Sequence, residues 1–308
     1  MSNAAERLKL SIWTTMYWEL SPEDACEHIA SLGWKHIDLS AEHIGEICDG
    51  QPPERLERAR ECLRRLGLTP WQTHAPMDLY IGHADRRTAE EHLEFLRRRL
   101  AQCARMAVRN IVIHVIPREL KTLEENLASK TRNIEMLKRV ADEAAEAGVK
   151  IALENLTGYW GEIGVLREVI EKVGSPALGI CFDTSHANVQ KLDVPAAIRE
   201  CGDRLCCLHL SDNNGGSDQH LMPYQGKVDW QGVVTALKAV RYSGALNFEM
   251  PGENGCPLAV RDRKMRHVSA LMETLISGEK GRKVYAARVE PIRDFCRRGW
   301  IDPKFGYP

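Results

Sequence analysis

Six imidazole or carboxylate side chains lie at or near the ends of short apolar runs in this 308-residue sequence. The six are His74, His114, Glu154, Asp183, His209 and Glu249. Burying a carboxylate without a partner is costly, and three converging carboxylates repel one another unless a cation lies between them. Imidazole and carboxylate groups without thiolates are the donors that Mn²⁺, Mg²⁺, Co²⁺ or Zn²⁺ take in proteins. The sequence therefore predicts a divalent metal site, provided that the fold brings these run ends together.

A simpler explanation exists for the individual histidines. A polar side chain at the edge of a core is usually hydrogen-bonded for structural reasons, and this explanation suffices for His74 or His114 taken singly. It does not account for several carboxylates within apolar sequence, because each buried carboxylate would need a hydrogen-bonding or charged partner of its own. We therefore assign the predicted metal ion to four residues. They are Glu154, Asp183, His209 and Glu249.

The runs that carry these residues have the composition of buried β-strands. They cover residues 8–13, 35–40, 69–74, 110–115, 150–155, 178–183, 205–210 and 245–250. Several are apolar on both faces, which is typical of parallel strands covered on both sides. We therefore expect eight strands in one parallel sheet.

Amphipathic segments with helix start and stop signals separate the strands. In the first of them Ser21 can cap the helix, Pro22 takes the first helical position and Gly33 ends it. Helices are predicted over 21–33, 52–67, 86–107, 129–148, 162–174, 193–202, 228–244 and 260–277. Repeated strand–helix alternation with right-handed crossovers predicts a single (β/α)8 TIM barrel. An open doubly wound sheet is the alternative, and it is less favoured because no GxGxxG follows the first strand.

The barrel fold would place the candidate residues on one surface. Reactive groups in TIM barrels lie at the C-terminal ends of the strands, where all six side chains are expected. The barrel is predicted to cover residues 8–255, and residues 256–308 to form a C-terminal extension of one helix and an irregular tail. This extension could cover the barrel or meet another subunit, so a homodimer or homotetramer is an expectation.

Composition excludes several other classes of protein. Lys and Arg (42) almost balance Asp and Glu (43), whereas proteins that grip the phosphate backbone usually carry a basic excess. The ten cysteines contain no CxxC pair and are interpreted as reduced thiols of a cytoplasmic protein. Neither a signal peptide nor an 18-residue apolar stretch occurs, so no membrane association is expected. Without a glycine-rich phosphate loop, no nucleotide cofactor is expected.

Four segments resemble one protein family in both order and spacing. They are LENLTG at 153–158, CFDTSHA at 181–187, LHLSDNNGGSDQHLMPYQGKVDW at 208–230 and FEM at 248–250. The chain resembles, over about 8–252, the xylose-isomerase-like TIM-barrel superfamily of sugar phosphate isomerases and epimerases. That superfamily also contains the apurinic endonucleases of the endonuclease IV type.

The epimerase branch implies a role for each of the four assigned residues. By this resemblance Glu154, Asp183, His209 and Glu249 hold one divalent metal ion, Glu154 and Glu249 act as acid and base, and His186 contacts substrate oxygens. Removing a proton next to a carbonyl produces an enediolate, whose negative charge a cation stabilises. One carboxylate can then remove the proton and the other can return it.

The endonuclease branch implies nine ligands for three zinc ions, and every matching position has a suitable side chain. These positions are His74, His114, Glu154, Asp183, His186, His209, Asp218, His220 and Glu249. The Asp218-Gln219-His220 sequence is similar to the nuclease Asp-x-His. Ketose 3-epimerases carry an arginine near this point, and none occurs between Arg204 and Arg241. A local hydrogen bond between Asp218 and His220 is the structural alternative.

Further residues are candidates for binding the substrate. They are His74, His114, His186, His220 and Trp13. An aromatic ring at a barrel mouth suits the apolar face of a sugar, but it could also stack on a base or belong to the core. The same three interpretations apply to Trp160. Asp38 and His43 could hydrogen-bond a substrate, but we favour a position on the surface for both. We place the run 97–99 (Arg-Arg-Arg) on a solvated helix face.

The preferred hypothesis is a metal-dependent isomerase or epimerase of a keto-sugar or related polyol, with a small carbohydrate as its expected substrate. A metal-dependent dehydratase or lyase of the same superfamily is the nearest alternative. A zinc phosphodiesterase acting at abasic DNA and a non-catalytic barrel subunit are the others. Nucleic acid is not the expected partner, because the charge is balanced and the first three rim loops lack paired arginines.

Overall fold

Eight parallel strands form a closed ring in the computed structural model, which describes residues 9–116, 120–252 and 255–277. The strands are β1 (Leu10–Trp13), β2 (His36–Leu39), β3 (Thr69–His74), β4 (Asn110–Ile113), β5 (Lys150–Glu154), β6 (Leu178–Asp183), β7 (Leu205–His209) and β8 (Leu246–Phe248). From β1 to β7 each strand pairs with its sequence neighbours, and β1 also pairs with β8. A parallel bridge between Leu210 and Phe248 joins β7 to β8. The predicted (β/α)8 TIM barrel is therefore confirmed.

Helices surround this ring and return the chain from the end of one strand to the start of the next. They are α1 (Pro22–Ser31), α2 (Ala41–Cys48), α3 (Pro53–Leu66), α4 (Arg86–Met106), α5 (Leu123–Lys138), α6 (Ala141–Ala147), α7 (Ile163–Val173), α8 (Thr184–Val189), α9 (Val194–Cys201), α10 (Trp230–Ala239) and α11 (Leu258–Ser277). Short 3₁₀ turns cover Thr14–Tyr17, Gly158–Gly161 and Gly202–Arg204. None of the helices in the described ranges is long and apolar enough to cross a membrane.

The helix termini follow the local signals in the sequence. Ser21 accepts a hydrogen bond from the Asp24 amide, and Pro22 occupies the first position of α1. Helix α3 ends at Gly67, whose φ of 64° lies in the left-handed region that favours glycine. The helix predicted at 129–148 is wrong in detail. It is two helices, α5 and α6, which are separated at Arg139 and Val140. A capping box of Thr122 and Glu125 starts α5 six residues earlier than expected.

Two further helices, α2 and α8, were not predicted. Both are short, with eight and six residues, and each begins directly after a strand. Helix α8 is capped by Asp183, whose side chain accepts a hydrogen bond from the His186 amide at 2.6 Å. The predicted division at residue 255 stays a prediction, and the expected tail after Ser277 lies outside the described residues.

The barrel interior has two unlike halves at mid-height, halfway along the strands. The residues in question lie two positions before the residue that each strand brings to the C-terminal rim. On β4 to β7 these positions form a small apolar and thiol cluster: Val112, Ala152, Cys181 and Cys207. On β1, β2, β3 and β8 they are polar and buried: Ser11, Asp38, Gln72 and Asn247. Branched apolar residues normally fill a TIM-barrel interior. The polar half is therefore a departure that needs an explanation.

Candidate metal centre

The strand ends bring the six candidate donors to one rim. His74, Glu154 and Asp183 are the last residues of β3, β5 and β6, and His209 is the last residue of β7. His114 and Glu249 follow β4 and β8 directly. This clustering follows from the parallel arrangement, because all eight strands finish at the same face of the barrel.

Four of these residues form a compact donor set. One atom each of Glu154, Asp183, His209 and Glu249 lies within 4.8 Å of all the others, and all four residues are buried. His209 Nδ1 is 3.1 Å from a Glu154 oxygen, 3.4 Å from a Glu249 oxygen and 4.0 Å from an Asp183 oxygen. Three carboxylates and one imidazole at such distances match the donors of a divalent cation.

The hydrogen bonds of the set are incomplete in a way that fits a metal ion. Asp183 Oδ2 and Glu249 Oε2 are buried and have no hydrogen-bond partner. Buried polar atoms are seldom left unpaired in folded proteins. A cation between these oxygens would satisfy both and would offset the repulsion between the carboxylates. The residues present therefore fit a bound divalent metal.

The titration of the carboxyl groups reflects the same crowding. Burial raises the pKa of Asp183 to about 7, opposed by the charge of His186 and reinforced by Glu249. Burial acts in the same direction on Glu154. There, the charges of His209 and His114 outweigh it and hold the Glu154 pKa well below its usual range. Without a metal ion, the positive charges of the histidines thus offset the negative charges of the carboxylates. A bound cation would take over this role.

A second donor set shares Glu154. His74 Nε2 lies 3.1 Å from Glu154 Oε2, and His114 Nε2 lies 3.2 Å from the same oxygen. Donor atoms of these three residues also lie within 4.8 Å of one another. One carboxylate between two imidazole nitrogens can either hold a metal ion or be hydrogen-bonded by the histidines.

A third group lies beside the first two, where the loop after β7 meets His186 of α8. Asp218 Oδ2 is 3.3 Å from His186 Nε2 and 3.0 Å from His220 Nε2. His186 Nδ1 contacts the Asn155 carbonyl, and His220 Nδ1 contacts the Glu249 carbonyl, both at 2.9 Å. Although burial lowers the pKa of His220, the hydrogen bond to Asp218 raises it to about 10 overall. The local Asp218–His220 pair expected as the alternative is therefore present.

A buried aspartate that the sequence analysis did not single out as a site residue holds this loop in place. Asp212 is fully buried and accepts hydrogen bonds from the amides of Gly226 and Val228 and from the Trp230 indole. A Cβ at Gly226 would lie 2.3 Å from the Asn213 carbonyl oxygen, so only glycine fits. These bonds fix both ends of the segment that carries Asp218 and His220.

The two candidate tryptophans differ in position. Trp13 ends β1 at the rim, is partly exposed, and its ring lies 6.4 Å from the His220 ring. Its placement suits a residue that borders a bound substrate. Trp160 is 0% exposed and belongs to the main core, which leaves the core interpretation for it.

Three residues placed on the surface are instead buried. Asp38 is 1% and His43 2% exposed, because β2 turns Asp38 into the barrel and α2 carries His43 to Thr14, 2.8 Å away. Arg99 is 1% exposed, and its guanidinium bonds to the Ile44 carbonyl and to Asp49. A charged side chain can be buried when it is paired in this way.

Sequence comparison finds relatives with and without an assigned activity. An uncharacterised protein of Sinorhizobium fredii is 29% identical over 181 residues, or 56% of each chain. The chain spans less than two thirds of the first two curated relatives it matches, 56% and 62% of their lengths. D-psicose 3-epimerase of Enterocloster bolteae is 24% identical over 248 residues, covering 76% of this chain and 78% of the relative.

Structural comparison supports the fold assignment. A crystal structure of D-psicose 3-epimerase in the presence of D-fructose matches with a TM-score of 0.76 at 19% identity, over 87% of this chain and 99% of that one. The IolI protein with a bound zinc atom matches with a TM-score of 0.72 at 18% identity, over 88% and 98% of the two chains. The family model described as xylose isomerase-like TIM barrel matches residues 26–275. This chain belongs to that family.

Proposed function

We propose that this protein is a carbohydrate epimerase or isomerase that acts on a keto-sugar or related polyol with the help of one divalent metal ion. The observation that carries the proposal is the buried donor set of Glu154, Asp183, His209 and Glu249. Relatives named D-psicose 3-epimerase and L-ribulose 3-epimerase support the choice of substrate class. A cytoplasmic location and a homo-oligomer stay predictions.

The two glutamates supply the acid and the base in this proposal. Since Glu249 Oε2 is the unpaired oxygen that a metal ion would satisfy, we assign the removal of the proton next to the carbonyl to the other oxygen of the Glu249 carboxylate. Glu154 is contacted by four histidines, with both of its oxygens engaged, so we assign to it the return of a proton. A metal ion held by the donor set would stabilise the negative charge that develops on the substrate oxygens.

The remaining rim residues bind and orient the substrate. His186 and His220 are fixed through Nδ1 by main-chain carbonyls, and their Nε2 atoms face Asp218 Oδ2. A substrate hydroxyl group would bind to these Nε2 atoms in exchange for the contact with Asp218. Trp13 offers an apolar face beside His220. The burial of the four donors, at most 5% exposed, excludes bulk water and strengthens the electrostatic interactions on which proton removal depends.

Proton exchange with solvent tests this function. The metal-loaded protein is incubated with a panel of ketopentoses and ketohexoses in deuterated water, and the products are followed by NMR. We expect an epimer or isomer that carries deuterium at the carbon that receives a proton, since the proton that Glu154 returns comes from the solvent and not from the substrate. Products lacking deuterium would contradict the return of the proton by a second carboxylate, and a product that has lost water would identify the dehydratase alternative.

A zinc phosphodiesterase is the second candidate, and a specific observation favours it. The set of His74, His114 and Glu154 and the group of His186, Asp218 and His220 adjoin the first donor set. All nine nuclease-like positions therefore lie at one rim. Cleavage of a duplex containing an abasic site by zinc-loaded protein would support this function over the epimerase. A non-catalytic barrel would not need any of these donors.

Replacing His220 with alanine separates the two candidates. In an epimerase with one metal, His220→Ala should keep the metal content and raise KM about tenfold, as expected for one lost hydrogen bond to the substrate. In a multi-metal enzyme it should remove a metal ion along with the activity. Elemental analysis and steady-state kinetics on the same preparation distinguish these results, and Gln219→Ala, one residue away, serves as the control.

A further inference from the structure

The imidazole of His209 has one nitrogen in the donor set and one facing the barrel interior. Nδ1 lies among Glu154, Asp183 and Glu249 at 3.1–4.0 Å. Nε2 points the other way, 3.7 Å from Asp38 Oδ2. His209 Nε2 and Asp38 Oδ1 are both buried without a hydrogen-bond partner. The unpaired nitrogen and the unpaired carboxylate oxygen thus belong to neighbouring side chains.

A buried network holds the Asp38 carboxylate in position. Gln72 Nε2 and Asn247 Nδ2 each donate a hydrogen bond of 3.0 Å to Asp38 Oδ2, and Ser11 Oγ donates one of 2.8 Å to Asn247 Oδ1. Gln72 Nε2 also contacts the Leu208 carbonyl, the residue before His209, at 3.3 Å. This network is the polar half of the mid-height layer, and its members come from four strands.

A buried polar network at this depth calls for a functional explanation. Buried polar groups stabilise a protein less than apolar packing does, even when they are hydrogen-bonded. The opposite half of the same layer is filled by Val112, Ala152, Cys181 and Cys207, so the barrel can close with apolar residues at this depth. The polar residues occur on the side where His209 Nε2 needs an acceptor.

We propose that Asp38 is a positioning residue for His209, accepting a hydrogen bond from Nε2–H so that the lone pair of Nδ1 is directed at the metal ion. A ligating histidine usually donates its second N–H to a carboxylate or carbonyl, which selects the tautomer and the ring orientation. The separation of 3.7 Å is longer than a hydrogen bond, and hydrogen bonds in ligand-free sites are often long. This inference rests on the metal site of the proposed function, and it does not depend on the identity of the substrate.

Metal affinity of the full chain tests the proposal. Protein stripped with a chelator is titrated with Co²⁺, and binding is followed by visible absorption, which also reports the geometry of the ligands. We expect Asp38→Asn to weaken Co²⁺ binding about 10- to 100-fold and to change the absorption bands. Asn110→Val is the matched control, because Asn110 is also a buried strand residue but bonds to the Trp71 carbonyl, away from His209. It should bind Co²⁺ as the wild type does.

Two further variants keep the test decisive. Asn247→Ala removes an amide that holds Asp38 but leaves the carboxylate, and it should weaken binding by an intermediate factor. In a His209→Ala background, Asp38→Asn should have almost no additional effect, because Asp38 acts through His209. Wild-type affinity and spectrum in Asp38→Asn would overturn the positioning role alone. Failure of the wild type to bind Co²⁺ would overturn both this inference and the metal-dependent function.

Discussion

Glu249→Gln should abolish turnover, with a loss in kcat of about 10³-fold or more, while the protein stays folded. The substitution keeps the size of the side chain and an oxygen that can still ligate a metal, but it removes the base. General-base catalysis alone contributes about 10²–10⁴-fold. The variant also loses one negative charge from the donor set, in which Glu249 lies 3.4 Å from His209. Steady-state kinetics and circular dichroism check both parts of this expectation.

Glu154→Gln should be equally inactive but should also bind metal more weakly. Glu154 belongs to both donor sets, so its charge is needed wherever the ion binds. Glu42→Gln is the control, since Glu42 is an exposed glutamate on α2, and it should have wild-type activity. Near-normal turnover in either Glu154→Gln or Glu249→Gln would show that the two-carboxylate mechanism is wrong.

Removing the metal ion should eliminate turnover and lower the stability of the fold. Three carboxylates within a few ångströms of one another repel when no cation separates them. At a free metal concentration 100 times its Kd, binding stabilises the folded state by about 2.7 kcal/mol. We expect chelator-treated protein to be inactive, to unfold at a lower temperature, and to recover when Mn²⁺, Co²⁺, Mg²⁺ or Zn²⁺ is restored.

Elemental analysis of protein purified without a chelator or affinity tag completes this experiment. About one ion per chain is expected for the proposed epimerase. Two or three zinc ions per chain would show that His74 and His114, or Asp218 and His220, are also ligands, and abasic DNA would then be the first substrate to assay. Full activity in protein shown to contain no metal would contradict the proposed mechanism outright.

The barrel and its reactive rim were predictable because both follow from local patterns. Strands covered on both sides require continuous apolar runs, and helices that follow them carry their own caps and amphipathic spacing. All eight predicted strands are present, with their ends moved by no more than two residues. Once the strands are parallel, a polar residue at the end of a run such as Glu154 or Asp183 must lie at the shared rim.

The errors arose where a side chain is compensated by residues far away in the sequence. Arg99 lies in a run of arginines that suggests a solvated face. It is buried because its guanidinium binds the Ile44 carbonyl, in α2, and the Asp49 carboxylate, which follows α2 directly. His43 is buried because Thr14, 29 residues away, provides its partner. Pairings over such separations leave no local signal in a single sequence.

Asp38 shows the same limit at the candidate site. The alternation of a four-residue strand does not indicate which face points into a barrel, so the sequence did not show that Asp38 faces the barrel interior. Closure of the ring places it beside Gln72 from β3, Asn247 from β8 and His209 from β7. The kind of fold and the identity of the rim donors thus follow from residues close together in the chain, whose periodicity and end positions are local properties. The grouping of those donors into overlapping sets, and the buried carboxylate behind His209, arise only when strands distant in the sequence close into a ring.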